Sequence, residues 1–177
     1  GAQCDRIPIY GSGGCCDAKE QFLREFDQLA SVGITRYKIR SVKTDVLRTA
    51  WVLEEAGKRG VEVGVDMCQN LADPPQEVED VVGFVEAVHA LTNWRMIFVE
   101  EALGPDCPDK FRELRGRIDV PVCGGEIITT PKEMIERINA DVYDFVQPDA
   151  SVMGGISAVM DVFEAAKTKG TDVVVHA

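Results

Sequence analysis

Ionisable side chains recur along this 177-residue sequence, each at or just beyond the end of a short apolar stretch. The set comprises Lys38, Arg40, Asp66, Glu100, Glu126, Asp149 and His176. Three successive members are carboxylates, whose oxygens are the ligands that Mg²⁺, and as an alternative Mn²⁺, prefer. The last two are a carboxylate and an imidazole, and a carboxylate can orient such a ring and raise its basicity. The residue types therefore predict a divalent-metal site beside a histidine that acts as a general base.

The apolar stretches are predicted to be β-strands, and amphipathic segments separate them. In those segments apolar residues such as Phe22, Phe26 and Leu29 recur at three- or four-residue spacing, which is the helical period. The predicted strands cover residues 7–10, 36–40, 61–66, 95–100, 120–123, 143–147 and 172–176. The predicted helices cover residues 18–31, 45–58, 76–90, 108–117, 131–139 and 156–169.

Alternation of strands and helices predicts a parallel α/β sheet, either an open doubly wound sheet or a (β/α) barrel. Gly11-Ser12-Gly13-Gly14 lacks the G-x-G-x-x-G spacing, so a dinucleotide-binding fold is a weak interpretation. In a barrel the carboxyl ends of the strands surround one opening, so ionisable residues at six successive strand ends would converge on one pocket. We therefore predict a parallel TIM-type (β/α) barrel.

The distance between neighbouring strands also favours a bound metal ion. Adjacent parallel strands lie about 5 Å apart, so Asp66, Glu100 and Glu126 would repel one another unless a cation lay between them. Lys38 and Arg40 are two residues apart on one strand, so both point to the same face of the sheet, the barrel interior.

Composition narrows the class of protein. The apolar fraction of 45% excludes disorder of the whole chain, and a net charge of −11 argues against nucleic acid or an anionic membrane as partner. The predicted barrel has only seven strands, and the strand edges that an incomplete barrel exposes favour association into a homo-oligomer. The six cysteines are scattered without a C-x-x-C pair, which indicates reduced thiols and a cytoplasmic location.

Six motifs follow one another at the predicted strand ends. They are Lys-x-Arg at 38–40, Val-Asp-Met-Cys-Gln-Asn at 65–70, Phe-Val-Glu-Glu-Ala-Leu at 98–103, Pro-Val-Cys-Gly-Gly-Glu at 121–126, Val-Gln-Pro-Asp at 146–149 with Gly-Gly-Ile at 154–156, and His176. This order resembles the barrel domain of the enolase superfamily, most closely the mandelate racemase-like group, which includes many acid-sugar dehydratases. The resemblance covers essentially the whole chain.

The resemblance implies a modified TIM barrel that binds one Mg²⁺ ion through Asp66, Glu100 and Glu126. The substrate carboxylate would chelate that ion while a base removes the proton α to the carboxylate. Glu101 follows Glu100 and should point away from the pocket, which makes it the weaker ligand candidate. We expect Gln69 and Asn70, the last residues of their motif, to line the pocket.

The family also carries a pair of lysines on one side of the pocket and an Asp-His dyad on the other. Asp149 and His176 match the dyad, and Lys38 matches the first lysine, which contacts the substrate carboxylate. Arg40 stands where the second, base-acting lysine is usual, and arginine is a poor base because it is essentially never deprotonated. The resemblance therefore implies one base, His176, with Arg40 binding or polarising the substrate.

A single base favours Mg²⁺-dependent dehydration of an acid sugar, a lyase reaction. The alternatives are a racemase, epimerase or cycloisomerase on the same metal site, or an inactive truncated fragment. Members of the family add an N-terminal capping domain and an eighth strand, and the sequence supplies only seven predicted strands. We therefore expect residues 1–177 to be an incomplete barrel domain, a portion of a longer protein.

Overall fold

The computed structural model describes residues 6–16, 18–68 and 73–176. Its seven strands form one parallel sheet in the order of the sequence, with β1 and β7 at the two edges within these residues. The strands are β1 Gly11–Ser12, β2 Arg36–Arg40, β3 Glu62–Asp66, β4 Met96–Glu100, β5 Val122–Gly124, β6 Phe145–Val146 and β7 Asp172–Val173. The helices are α1 Lys19–Ser31, α2 Val46–Gly57, α3 Val78–Leu91, α4 Pro108–Arg115, α5 Pro131–Asn139, α6 Ala150–Met153 and α7 Ile156–Lys169.

The helices form a layer outside the sheet because each carries an apolar face. In α1, Phe22, Phe26 and Leu29 are buried against the strands. Consecutive helices pack side by side, α1 with α2, α2 with α3, and α3 with α4. Pro131 opens α5, where its missing N–H costs nothing, and the hydroxyl of Thr130 accepts a hydrogen bond from the Glu133 amide.

The opposite face of the sheet is the barrel interior, and alternation along the strands decides which residues reach it. Phe98 lies two residues before Glu100 and therefore shares its face. The Phe98 ring packs between Tyr10 and Phe145, with ring centroids 5.7 Å and 5.6 Å away. An aromatic layer thus fills the interior below the carboxyl ends of the strands.

The predicted fold is confirmed: a parallel α/β sheet with outer helices, arranged as a partial TIM-type barrel. The prediction of the first strand at residues 7–10 is wrong, because the pairing with β2 is made by Gly11 and Ser12. Ile7 and Ile9 are 73% and 61% exposed, so their β propensity finds no surface to pack against.

The region around Asp149 and His176 also differs from the sequence prediction. The last strand ends at Val173 instead of residue 176, and His176 joins the sheet through an isolated parallel bridge with Asp149. The short helix α6 is absent from the predicted elements; it begins directly after Asp149, whose carboxylate accepts hydrogen bonds from the Ser151 and Val152 amides. No helix within residues 6–16, 18–68 and 73–176 is long and apolar enough to cross a membrane.

Substitution of Gly64 tests the packing of the barrel interior. A Cβ atom at Gly64 would lie 2.2 Å from the Phe98 ring, so Gly64→Ala should lower the free energy of unfolding by about 1–3 kcal/mol. Gly83 is the matched control: it is exposed on α3, and a Cβ atom there would meet no other atom within 4 Å, so Gly83→Ala should raise stability by up to about 1 kcal/mol. Urea denaturation measures both variants, and equal midpoints would contradict this packing.

Candidate active site

Parallel pairing brings the ionisable strand ends side by side. Asp66 and Glu100 are the last residues of β3 and β4, and they are partners in the register of these strands. Arg40 ends β2 and is the register partner of Asp66. Because every strand runs in the same direction, these three side chains lie at one edge of the sheet.

Glu100 is fully buried and holds hydrogen bonds on both carboxylate oxygens. The Lys38 ammonium binds Oε1, and the Gln147 amide donates to Oε2 at 2.8 Å. Burial raises the pKa of Glu100, and the Asp66 charge adds to this effect while Lys38 opposes it. Lys38 itself is 2% exposed; burial lowers its pKa, but the charge and hydrogen bond of Glu100 outweigh burial and raise the pKa overall.

Asp149 and His176 form the predicted dyad geometry. Asp149 caps the N-terminus of α6, where Oδ1 accepts a hydrogen bond from the Ser151 amide at 2.7 Å. Its other oxygen, Oδ2, lies 2.9 Å from His176 Nδ1. Hydrogen bonds from Ser151 and His176 hold the pKa of Asp149 well below its usual range. The carboxylate is therefore charged and fixed, and Nε2 is the ring nitrogen that points away from Asp149.

The Nε2 atom of His176 faces the carboxylates of the site. It lies 3.0 Å from Glu126 Oε2. One ligand atom each from Glu100, Glu126 and His176 lies within 4.8 Å of the others. Asp66 lies on the other side of Glu100, with Oδ2 3.8 Å from both Lys38 Nζ and Arg40 Nε.

Arg40 lies at the rim of the site, next to a cavity of about 270 Å³ between the β1–α1 and β2–α2 connections. Its Nη1 group donates to Gly13 O at 3.4 Å and to Cys15 Sγ at 3.3 Å. Cys68 lines the same cavity, and burial together with the Asp66 charge raises the pKa of its thiol to about 12. That thiol is therefore neutral at physiological pH.

The charges of the site fit a divalent cation. Four carboxylates and two cationic side chains leave a net charge of −2 when His176 is neutral. The buried Glu100 and the neighbouring Asp66 and Glu126 offer oxygen atoms, the donor set that Mg²⁺ takes. Among the described residues, the side chains whose ligand atoms lie close enough together to hold one ion are those of Glu100, Glu126 and His176. Asp66 lies outside this group, so the ligand set Asp66, Glu100 and Glu126 stays a prediction.

Two buried side chains next to the site are missing from the predicted site residues. Gln147, which binds Glu100, is an uncharged residue inside an apolar strand, and only its place in the Val-Gln-Pro-Asp motif marks it. Glu101, the weaker ligand candidate, places its carboxylate behind the site, where it accepts a hydrogen bond from the Gly125 amide at 2.5 Å. Burial raises the pKa of Glu101 to about 7. Gln69 and Asn70, predicted to line the pocket, lie outside the described residues.

Comparison with known proteins assigns the chain to a family. The family described as "Enolase C-terminal domain-like" matches residues 21–177. The chain therefore belongs to this family, and its strand-end residues belong to the barrel domain of enolase-superfamily enzymes.

Several relatives are acid-sugar dehydratases. The chain is 26% identical over 178 residues to arabinonate dehydratase of Saccharolobus solfataricus, a match that covers 97% of the chain and 45% of that enzyme. It is 30% identical over 86 residues to L-talarate/galactarate dehydratase of Salmonella typhimurium LT2, covering 49% of the chain and 22% of that enzyme. The chain spans less than half the length of these relatives.

A solved structure has the same fold. The crystal structure of L-talarate/galactarate dehydratase from Salmonella typhimurium LT2, liganded with Mg and L-lyxarohydroxamate, superimposes with a TM-score of 0.84 at 26% identity. The superposition covers 99% of the chain and 44% of that enzyme. The predicted membership of the enolase superfamily is thereby confirmed.

Substitution of one carboxylate tests the metal site. Glu100→Gln keeps the shape and removes one negative charge, so Mg²⁺ affinity should fall by at least about tenfold, since even outer-shell changes at metal sites cost 10–100-fold. Calorimetric titration with MgCl₂ measures this loss. Glu62→Gln is the matched control, because Glu62 is an exposed carboxylate at the opposite end of β3 that pairs with Arg36. Equal affinity of both variants would mean that Glu100 is no ligand.

Proposed function

We propose that this chain carries the acid–base centre of a Mg²⁺-dependent lyase that dehydrates an acid sugar. The observation that carries the proposal is the orientation of His176, whose Nδ1 is bound to Asp149 while Nε2 faces the carboxylate cluster. A histidine held in this way can remove a proton from a carbon atom adjacent to a metal-bound carboxylate. The acid-sugar dehydratases among the relatives support the same reaction class.

Asp66, Glu100 and Glu126 would hold the Mg²⁺ ion, which supplies a Lewis acid for the substrate carboxylate and stabilises negative charge that develops there. Lys38 adds a second positive charge from the β2 side. Its ammonium group is held against Glu100 and lies 3.8 Å from Asp66. Because the side chain is only 2% exposed, it contacts a substrate carboxylate only after it moves towards the pocket.

His176 accepts the α-proton at Nε2, and Asp149 stabilises the imidazolium that results. The β-hydroxyl then leaves the substrate, and the proton on His176 is available to convert that hydroxyl to water. The enol product tautomerises to a 2-oxo-3-deoxy acid. Each proton taken up by His176 is thus released within the same turnover, so a single base suffices.

Arg40 favours dehydration over racemisation. Racemisation needs a base on each face of the α-carbon, and Arg40 occupies the side of the pocket opposite His176. Because its guanidinium remains protonated, Arg40 can bind or polarise the substrate but cannot take its proton. Its contacts with Cys15 Sγ and the Gly13 carbonyl hold it at the rim, where a substrate hydroxyl or carboxylate can reach it.

A panel of sugar acids in D₂O tests the proposal. The protein is expressed from the complete reading frame that contains these residues and is assayed with Mg²⁺. We expect at least one sugar acid to lose water with formation of the 2-oxo acid. Incorporation of deuterium at the α-carbon without any loss of water across the panel would instead indicate a racemase or epimerase.

Substitution of His176 tests the base. His176→Asn should abolish exchange of the α-proton, by at least about 100-fold, while Mg²⁺ affinity stays near the parental value. Asp149→Asn should be milder, because the imidazole remains and loses only its orienting charge. His89→Asn is the matched control: His89 packs on α3 and accepts a hydrogen bond from the Met96 amide far from the carboxylates. Parental exchange in His176→Asn would require another base, with Lys38 the next candidate.

Substitution of Arg40 tests the single-base mechanism. Arg40→Lys keeps the positive charge and adds a group that can be deprotonated, so dehydration should persist within about tenfold. We also expect slow α-proton exchange from the face opposite His176, which proton NMR of the recovered substrate in D₂O can detect. Complete loss of dehydration in Arg40→Lys would contradict a role limited to binding or polarising the substrate.

A further inference from the structure

Glu126 differs from the other two carboxylates in how its backbone is held. Asp66 and Glu100 are strand residues that pair with each other, whereas Glu126 lies two residues beyond the end of β5. The connection is a turn through Gly124 and Gly125, and Gly125 has a φ of +112°, a conformation that other residues rarely adopt. The position of Glu126 therefore depends on what fixes this turn.

The carboxylate of Glu101 lies inside that turn. Its Oε1 atom accepts a hydrogen bond from the Gly125 amide at 2.5 Å. A Cβ atom on Gly124 would lie 2.9 Å from Oε1, so only glycine allows this close approach. A backbone amide of the turn is thus bound by a buried side chain from the end of the neighbouring strand.

The backbone of Glu101 directs its side chain there. Glu101 has a φ of +43°, its own amide donates to the Cys123 carbonyl at 3.1 Å, and its side chain is buried. The left-handed conformation turns its carboxylate away from Glu100 and under the neighbouring strand end. Its second oxygen, Oε2, has no hydrogen-bond partner among the described residues. Burial of a carboxylate with one unpartnered oxygen is costly, and its hydrogen bond from the Gly125 amide compensates for part of that cost.

We propose that Glu101 is a positioning residue that fixes the Gly124–Gly125 turn and thereby presents the Glu126 carboxylate to the metal site. The proposal rests on the proposed role of Glu126 as a metal ligand. Glu101 acts through the backbone and does not contact the ion. Glu101 thus supports a carboxylate at the end of the neighbouring strand. Lys38 and Gln147 support Glu100 in a comparable way, through hydrogen bonds to its side chain.

Variants of Glu101 test this role through Mg²⁺ affinity, measured by calorimetric titration with MgCl₂ on the full chain. Glu101→Ala removes the acceptor and should lower affinity by at least about tenfold. Glu101→Gln keeps an oxygen that can accept from the Gly125 amide, so affinity should stay within about threefold of the parent even where thermal stability falls. Glu101→Asp shortens the side chain by about 1.5 Å and should lower affinity, and it decides the question where the Ala variant does not fold.

Amide hydrogen exchange provides a second readout that needs no metal. The Gly125 amide should exchange slowly in the parent and in Glu101→Gln, and faster in Glu101→Ala. Asp144→Ala is the matched control, because Asp144 accepts a hydrogen bond from the Val122 amide at 2.7 Å at the opposite end of β5. That variant should lose stability and retain parental Mg²⁺ affinity.

Titration of Glu126→Gln with MgCl₂ alongside the Glu101 variants distinguishes failure of this inference from failure of the proposed function. Weak binding by Glu126→Gln with parental binding by Glu101→Ala and Glu101→Asp would overturn the role of Glu101 and leave the metal site intact. Equal losses in Asp144→Ala and Glu101→Ala would also overturn it, since any damage to β5 would then suffice. Absence of Mg²⁺ binding by the parent would overturn both proposals.

Discussion

The buried contact of Lys38 with Glu100 is the interaction on which the rest of the site depends. Their side chains are 2% and 0% exposed, and removal of two charges from water costs several kcal/mol per ion unless each is compensated. Glu100 has a donor on each oxygen, and Lys38 also lies near Asp66. A compensated charge pair at the centre of the sheet allows two further carboxylates to lie beside it. The remaining negative charge is then available for a cation.

The order of the strands places these charged side chains on defined sides of the pocket. Lys38 and Arg40 come from β2, the three carboxylates follow on or just beyond β3, β4 and β5, and the dyad lies just beyond β6 and β7. The proposed base and the fixed cations therefore flank the carboxylates from opposite sides. A substrate bound between them would meet positive charge on one side and His176 on the other, which suits removal of a proton next to a carboxylate. In the proposed mechanism the same order lets a change at position 40, on one side of the pocket, alter the available chemistry while the proposed base on the other side stays in place.

Much of this arrangement follows from the sequence because the strand period is two and parallel strands share one direction. Arg40, Asp66 and Glu100 are predicted at strand ends, and each is the last residue of its strand. The misplaced first strand has a different cause, since Ile7 and Ile9 have the composition of a strand but no neighbouring surface. The role of Glu101 is equally beyond prediction, because strand alternation says only that its side chain leaves the face of Glu100. Its approach to the Gly125 amide depends on a left-handed backbone at Glu101 and on tertiary packing, neither of which the residue types specify.

The two kinds of carboxylate in the site illustrate what a sheet can and cannot position. A strand fixes its own residues through regular pairing, so Asp66 and Glu100 need side-chain partners only to balance their charge. Beyond the strand end the hydrogen bonds between strands no longer constrain the backbone. The two glycines of the Gly124–Gly125 turn allow the backbone to approach the Glu101 carboxylate closely, but glycine also leaves the turn more conformational freedom. In our proposal a buried acceptor, Glu101, restores that constraint by accepting a hydrogen bond from the Gly125 amide. The second glutamate of the Glu-Glu pair is therefore best understood together with the Gly-Gly-Glu segment of the next strand, as one unit spread over two motifs.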